Sequence, residues 1–124
     1  GLALPNVFAV TAVEAAYTHG EAWLNELLLY LEENYRLASS FIAEHIPEIK
    51  VIEPEGTYLL WLDCRGLGLN DKELDSFIKE KAKLLLEPGT IFGTGGSSFQ
   101  RMNIACPRSR LLEALQRLET AVRE

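Results

Sequence analysis

At 124 residues the chain has the length of one domain. A hydrophobic fraction of 48% supplies enough apolar side chains for a buried core, which excludes a disordered segment. Its net charge of −6, with a pI near 5.0, excludes the clustered Lys and Arg that neutralise nucleic-acid phosphates. No stretch has the length and apolarity of a membrane span. The apolar opening from Leu2 to Tyr17 has no basic residue before it and carries Glu14, so it makes a poor secretory signal. Cys64 and Cys106 sit in apolar strand contexts and form no ligand motif, so they read as buried thiols of a cytoplasmic protein. The chain opens at Gly1 without a Met, which is expected of a piece of a longer protein.

In chain order, Asn6 is placed to cap a first helix containing Val7, Val10, Val13, Ala16 and Tyr17, which Gly20 ends. A longer helix is expected from about Glu21 to His45. Leu24, Leu27, Leu28, Leu31, Tyr35, Ala38, Phe41 and Ile42 recur at three and four residues as one apolar stripe, with Glu32, Glu33, Arg36 and Glu44 opposite. Pro47 stops it. Ile49, Val51 and Ile52 suggest a short strand, and Pro54-Glu55-Gly56 a turn. Thr57 to Asp63 is the strongest strand. Tyr58, Leu60 and Leu62 alternate with Leu59 and Trp61, so both faces are apolar and a central, doubly covered position is expected. After Gly66 and Gly68, Asn70 and Glu73 make a capping pair for a helix whose inner face is Leu74, Phe77, Ile78 and Ala82. Leu84 to Leu86 reads as a short strand. Pro107 and Ser109 open a last helix with Leu111, Leu115, Leu118 and Val122 in line. The order α-α-β-β-α-β-β-α fits a small mixed sheet flanked by helices, without internal repeats.

The stretch from Pro88 to Pro107 carries the chemistry. Its first half, with Gly89, Gly93, Gly95 and Gly96, reads as a long flexible loop. Its second half alternates, with Met102, Ile104 and Cys106 on one face and Arg101, Asn103 and Ala105 on the other. An arginine on a rigid strand beside a glycine loop can grip a carboxylate with two parallel hydrogen bonds. The alternative is a solvated arginine, or one paired with a nearby Glu. A phosphate cradle is excluded, because that device needs a helix directly after the glycines and here a strand follows.

Nothing else in the chain has catalytic or metal-ligand spacing. His19 and His45 are far apart and read as surface or helix-end residues, and no Ser, His and Asp set suggests a triad. Asp63, followed by Arg65, reads as a solvated strand end, and Trp23 and Trp61 as core rather than as a stacking platform.

Three runs taken together resemble a known family: Pro54-Glu55-Gly56-Thr57-Tyr58-Leu59-Leu60-Trp61-Leu62-Asp63, Pro88-Gly89-Thr90-Ile91-Phe92-Gly93, and Arg101-Met102-Asn103-Ile104-Ala105-Cys106-Pro107-Arg108. They are similar to the small C-terminal domain of fold-type-I enzymes dependent on pyridoxal 5'-phosphate (PLP), in the class I/II aminotransferase family. The likeness is to its cystathionine β-lyase-like (carbon–sulfur lyase) branch. Pro5-Asn6-Val7-Phe8 and Gly20-Glu21-Ala22-Trp23-Leu24 resemble that branch too. The resemblance implies an α/β (α+β) fold with a small mixed, largely antiparallel sheet flanked by helices. It implies one domain over 1–124, with a helical interdomain segment at about 1–46 and a sheet-and-helix part at about 47–124.

The resemblance further implies that Arg101 binds the α-carboxylate of an amino-acid substrate, and that Gly89, Phe92 and Gly93 border the active-site mouth. The lysine that forms the Schiff base with PLP, its partner aspartate and the phosphate-binding residues belong to a large N-terminal domain. None of Lys50, Lys72, Lys79, Lys81 or Lys83 sits in a matching motif. The expectation is therefore a C-terminal fragment with no catalytic, cofactor-binding or metal-binding residue of its own. It would be inactive alone and part of a cytoplasmic homodimeric lyase or aminotransferase when joined to the large domain. Thr90, Thr94, Ser97 and Ser98 make the loop polar but uncharged, which suits a neutral thioether side chain better than a dicarboxylate. The contrasting expectation is a non-catalytic α/β module that binds an amino acid or docks a partner.

Overall fold

The structure, a computed structural model, describes residues 6–124. The apolar stretch before Asn6, including Pro5, lies outside the described residues. The chain divides into two compact units, one reaching to Tyr30 and one from Leu31 to Glu124.

In the first unit, α1 (Val7–His19) begins at Asn6, whose side-chain oxygen accepts from the Ala9 backbone N–H at 2.8 Å. This cap satisfies one of the orphan donors at the helix start. Gly20 ends α1, and α2 (Glu21–His45) follows. No residue of α1 is buried. Phe8, Tyr17 and Trp23 are largely exposed, so Trp23 is not a core residue. Leu24 and Leu28 of the expected stripe are also exposed.

From Leu31 onward the stripe finds partners. Leu31, Ala38 and Ile42 are buried, and with them Asn34. The sheet contains β1 (Lys50–Ile52), β2 (Leu59–Asp63), β3 (Glu87–Pro88) and β4 (Phe99–Asn103), in the order β1-β2-β4-β3, every pairing antiparallel. Alternation along the strands sorts their side chains by face. Leu60, Leu62 and Met102 go inward, and the buried cluster adds Ile104, Ala38 and Ile42. It also includes Leu74 of α3 (Asp71–Ser76) and Leu111, Leu115 and Leu118 of α4 (Arg108–Arg123). Each such Leu or Ile contributes roughly 1.5–3 kcal/mol by leaving water.

Asn70 and Glu73 form the expected capping box. Asn70 accepts from the Lys72 and Glu73 amides at 3.1 and 3.0 Å, and Glu73 accepts from the Asn70 amide at 3.0 Å. The helix then widens into a π-turn, Phe77–Lys81, which the four-residue apolar spacing does not foretell.

Two expectations about strands are corrected. Leu84 to Leu86 is not a strand: Lys83 turns the chain at φ 53, Leu85 is 88% exposed, and only Glu87 and Pro88 join the ladder. β2 is central as expected, but its second face is only half covered, with Leu59 and Trp61 partly exposed. Apolar residues on both faces of a strand therefore mark a face that the described residues do not bury.

The buried Asn34 joins α2 to the end of β4. Its side-chain amide donates to the backbone carbonyls of Ile104 (2.9 Å) and Cys106 (3.1 Å). Both carbonyls lie just past the end of the ladder, and a buried carbonyl without a donor costs about 1–3 kcal/mol. Asn34→Ala is expected to destabilise the fold by about 2–3 kcal/mol. Asn34→Asp should do more harm, since it replaces the donor by a buried acceptor. Urea unfolding of the two variants checks this; an unchanged midpoint in both would mean the bonds contribute nothing.

Candidate active site on the open face of the sheet

The register that sends Leu60, Leu62 and Met102 inward sends Trp61, Asp63, Phe99, Arg101 and Asn103 to the opposite face. Trp61 pairs with Arg101, and Arg101 with Glu87. This face is a charged and aromatic surface. The Arg101 guanidinium lies under the Phe92 ring, 4.4 Å from its centroid. Phe92 meets Trp61 edge-on at 5.7 Å, and Trp61 stacks on Phe99 at 5.5 Å. Arg65 lies over the far side of the row, 5.4 Å from the Phe99 centroid. The two arginine contacts and the edge-on Phe92–Trp61 pair join a cation or a positive ring edge to a π-face, and Trp61 and Phe99 lie nearly parallel. Trp61 is thus a stacking platform after all, and not a core residue.

Glycine is required in the loop that carries Phe92. Gly89 and Gly96 are buried with their backbones in contact. A Cβ on Gly89 would stand 2.2 Å from the Gly96 carbonyl oxygen, and one on Gly96 would stand 1.9 Å from that of Gly89. Gly93, at φ 122, holds a conformation closed to other residues. The expected long flexible loop is instead two short 3₁₀ turns, Gly89–Phe92 and Thr94–Gly96. Asp71, at the start of α3, ties their exit: it accepts from the Ser98 amide at 2.7 Å and from the Ser97 hydroxyl at 3.0 Å. Ser97 and Ser98 therefore serve the loop's own anchoring.

Arg101 already holds a carboxylate. Its Nε donates to Glu87 Oε2 at 2.6 Å, and its Nη2 donates to the same oxygen. Both bonds use the side-on edge of the guanidinium. A surface hollow of about 350 Å³ adjoins the pair, lined by Tyr58, Leu59, Leu85, Glu87, Arg101 and Asn103.

No protein-family model matches the chain. It is 43% identical over 122 residues to cystathionine beta-lyase PatB of Bacillus subtilis and 38% identical over 123 residues to protein MalY of Escherichia coli. Those alignments cover 98% and 99% of the chain. Its fold superposes on cystalysin of Treponema denticola, a crystal structure that contains PLP, with a TM-score of 0.92 at 36% identity over 97% of the chain. A PLP-bound structure from Clostridium difficile gives a TM-score of 0.91 at 51% identity over 94% of the chain. The chain is a C-terminal fragment whose homologues are cystathionine beta-lyases and PLP-bound aminotransferase and C–S lyase structures. It spans about a third of the length of the relatives it matches.

In this small domain the four residues expected at the active-site mouth come together. Gly89 seats the loop, Gly93 closes its first turn, Phe92 covers Arg101, and Arg101 projects from β4. Arg101 is paired with a nearby Glu, as the alternative reading expects; the sequence does not single out Glu87, because the strand expected over Leu84–Leu86 begins three residues later and only the register sets Glu87 opposite Arg101. Asp63 is buried rather than solvated, and accepts two bonds from the Arg65 side chain, at 2.9 and 2.7 Å, and one from the Arg65 amide, at 3.1 Å. The signal was local: an Asp and an Arg two apart at a strand end, with an aromatic across the sheet. Among the described residues no cluster of His, Cys, Asp and Glu is placed to hold a metal ion, and no helix is long and apolar enough to cross a membrane.

The hydrogen bond from Arg65 holds the Asp63 carboxyl at about 2, down from 3.8, against the opposing effect of burial. Burial, aided by the Asp63 charge, pushes the neighbouring Cys64 thiol up to about 12, so Cys64 is a core residue and not a nucleophile. Because the Asp63 value is lowered on folding, its stabilisation is complete above pH about 4 and is lost as the pH falls toward 2. Asp63→Asn is expected to lower stability at neutral pH and to flatten its pH dependence across that window, so that variant and wild type converge as the pH falls toward 2. Unfolding midpoints measured between pH 2 and 7 decide it; an unaltered acid limb in the variant would refute the assignment.

Proposed function

We propose that this chain supplies the substrate-carboxylate site of a PLP-dependent enzyme acting on amino acids, with Arg101 as the carboxylate clamp. The observation that carries the reading is Arg101 itself. It is rigid on a central strand, covered by Phe92, beside a hollow, and bonded to a carboxylate in the structure. A planar guanidinium matches a carboxylate with two parallel hydrogen bonds, so the edge that holds Glu87 fits a substrate carboxylate equally well.

The residues present do not form a PLP site. All five lysines are exposed, and Lys79 is bonded to Asp75 at 2.7 Å. A lysine that bonds covalently to a carbonyl cofactor needs a partly desolvated amine instead. PLP therefore belongs to a large domain of the full-length protein, as do the catalytic groups. This chain alone is catalytically silent, and the full-length protein is a homodimer in this reading. The domain's task is to fix the substrate by its carboxylate so that the reacting bond is correctly oriented.

Removing Arg101 in the full-length enzyme is expected to weaken amino-acid binding by tens to thousands of fold, corresponding to roughly 2–5 kcal/mol. Arg101→Lys should also lose much of it, because an ammonium cannot make the two-pronged contact. The comparison to make is an amino acid against its decarboxylated amine, in wild type and in Arg101→Ala. An equal loss for both ligands would show that Arg101 does not read the carboxylate.

Between lyase and aminotransferase we infer a carbon–sulfur β-lyase. Support comes from the likeness to a cystathionine beta-lyase over nearly the whole chain and from the uncharged loop at the mouth. With cystathionine or cystine and no keto acid, the full-length enzyme is expected to release pyruvate over many turnovers. Product that stops within one turnover and resumes only when a keto acid is added would identify an aminotransferase instead.

A further inference from the structure

We propose that Glu87 is a resident occupant of the Arg101 clamp, which the incoming carboxylate must displace, and that Glu87 thereby sets how tightly carboxylate substrates bind. The proposal rests on the reading of Arg101 as the clamp. Register places the two side chains directly opposite on β3 and β4, and the side-on edge of the guanidinium is spent on Glu87 Oε2. A substrate carboxylate that joined Arg101 while Glu87 stayed would put two like charges on one cation, within a few ångströms of each other and partly out of water. That arrangement repels.

The structure is asymmetric in a way that lets Glu87 leave. Arg101 lies on β4 between two neighbouring strands, with the Phe92 ring over its guanidinium and its side chain 29% exposed. Glu87 lies on an edge strand of two residues, of which Pro88 has no amide hydrogen to give the ladder. Its side chain is 52% exposed, and the preceding Leu85 lies in water. Swinging Glu87 into solvent breaks one half-exposed ion pair and buries nothing new. Orienting the guanidinium does not need Glu87, since Phe92 and the strand already hold it. Competition therefore outweighs any positioning benefit. A half-exposed pair of this kind is worth up to about fivefold in a binding constant.

The test uses the full-length enzyme and its Glu87→Gln, Glu87→Ala and Arg101→Ala variants. Each is titrated with an amino acid and with the corresponding decarboxylated amine, and the binding constants are read by calorimetry as well as from KM. Both Glu87 variants are expected to bind the amino acid about three- to fivefold more tightly and the amine as wild type does. Weaker or unchanged amino-acid binding in the Glu87 variants would overturn the proposal, as would an equal gain for the amine. If Arg101→Ala loses the preference for the carboxylate while the Glu87 variants show no gain, only this inference fails. If Arg101→Ala keeps that preference, the clamp reading itself fails.

Discussion

The register between β4 and its two neighbours is the constraint on which the rest of this domain depends. Antiparallel pairing sets Leu60 opposite Met102, Trp61 opposite Arg101, and Arg101 opposite Glu87. Because side chains alternate with period two, that choice sorts the molecule into a greasy side and a polar one. A slip of β4 by one residue would drive Arg101 into the cluster with Ile42 and Leu115, where an uncompensated charge is costly, and expose Met102. The hydrophobic term therefore enforces the placement of the candidate clamp, although no apolar atom takes part in holding a carboxylate.

Around that register the polar groups act as local bolts. Asn34 ties α2 to the end of β4, Asp71 ties the loop exit to α3, and Asp63 holds Arg65 over Phe99. None of them is a large stabiliser, since a satisfied hydrogen bond contributes only about 1 kcal/mol net. Their effect is positional. Asp63, through Arg65, fixes one end of an aromatic row whose middle, Trp61 and Phe92, determines where the Arg101 guanidinium can lie. The contact between Gly89 and Gly96 acts in the same sense by steric means, because backbone meets backbone where any side chain would separate the two turns.

The half-covered face and the exposed apolar residues of α1 share one explanation. The chain spans about a third of the relatives it matches, and its side chains include Phe8, Tyr17, Trp23, Ile91 and Phe92, all widely exposed. Large apolar residues left in water in such number mark surfaces shaped for contact rather than for solvent. The charges on the sheet's open face are paired within the chain, Asp63 with Arg65 and Glu87 with Arg101, so that face can stand in water or be covered without stranding an ion.

The sequence by itself determined the elements whose signals are local and periodic. The caps at Asn6 and Asn70, the leucine line of α4, the in-and-out alternation around Arg101 and the interest of the glycine loop could be read residue by residue, because each depends on neighbours three or four positions away at most. The ordered motifs added the family and, through it, Arg101. Only the tertiary structure decided which carboxylate faces Arg101, that Asp63 is buried on Arg65, that Trp61 stacks rather than packs in a core, and that β3 starts at Glu87. Each of these depends on register between strands far apart in the chain. The energy that sets a register is summed over a whole face of the sheet, and no single stretch of sequence carries it.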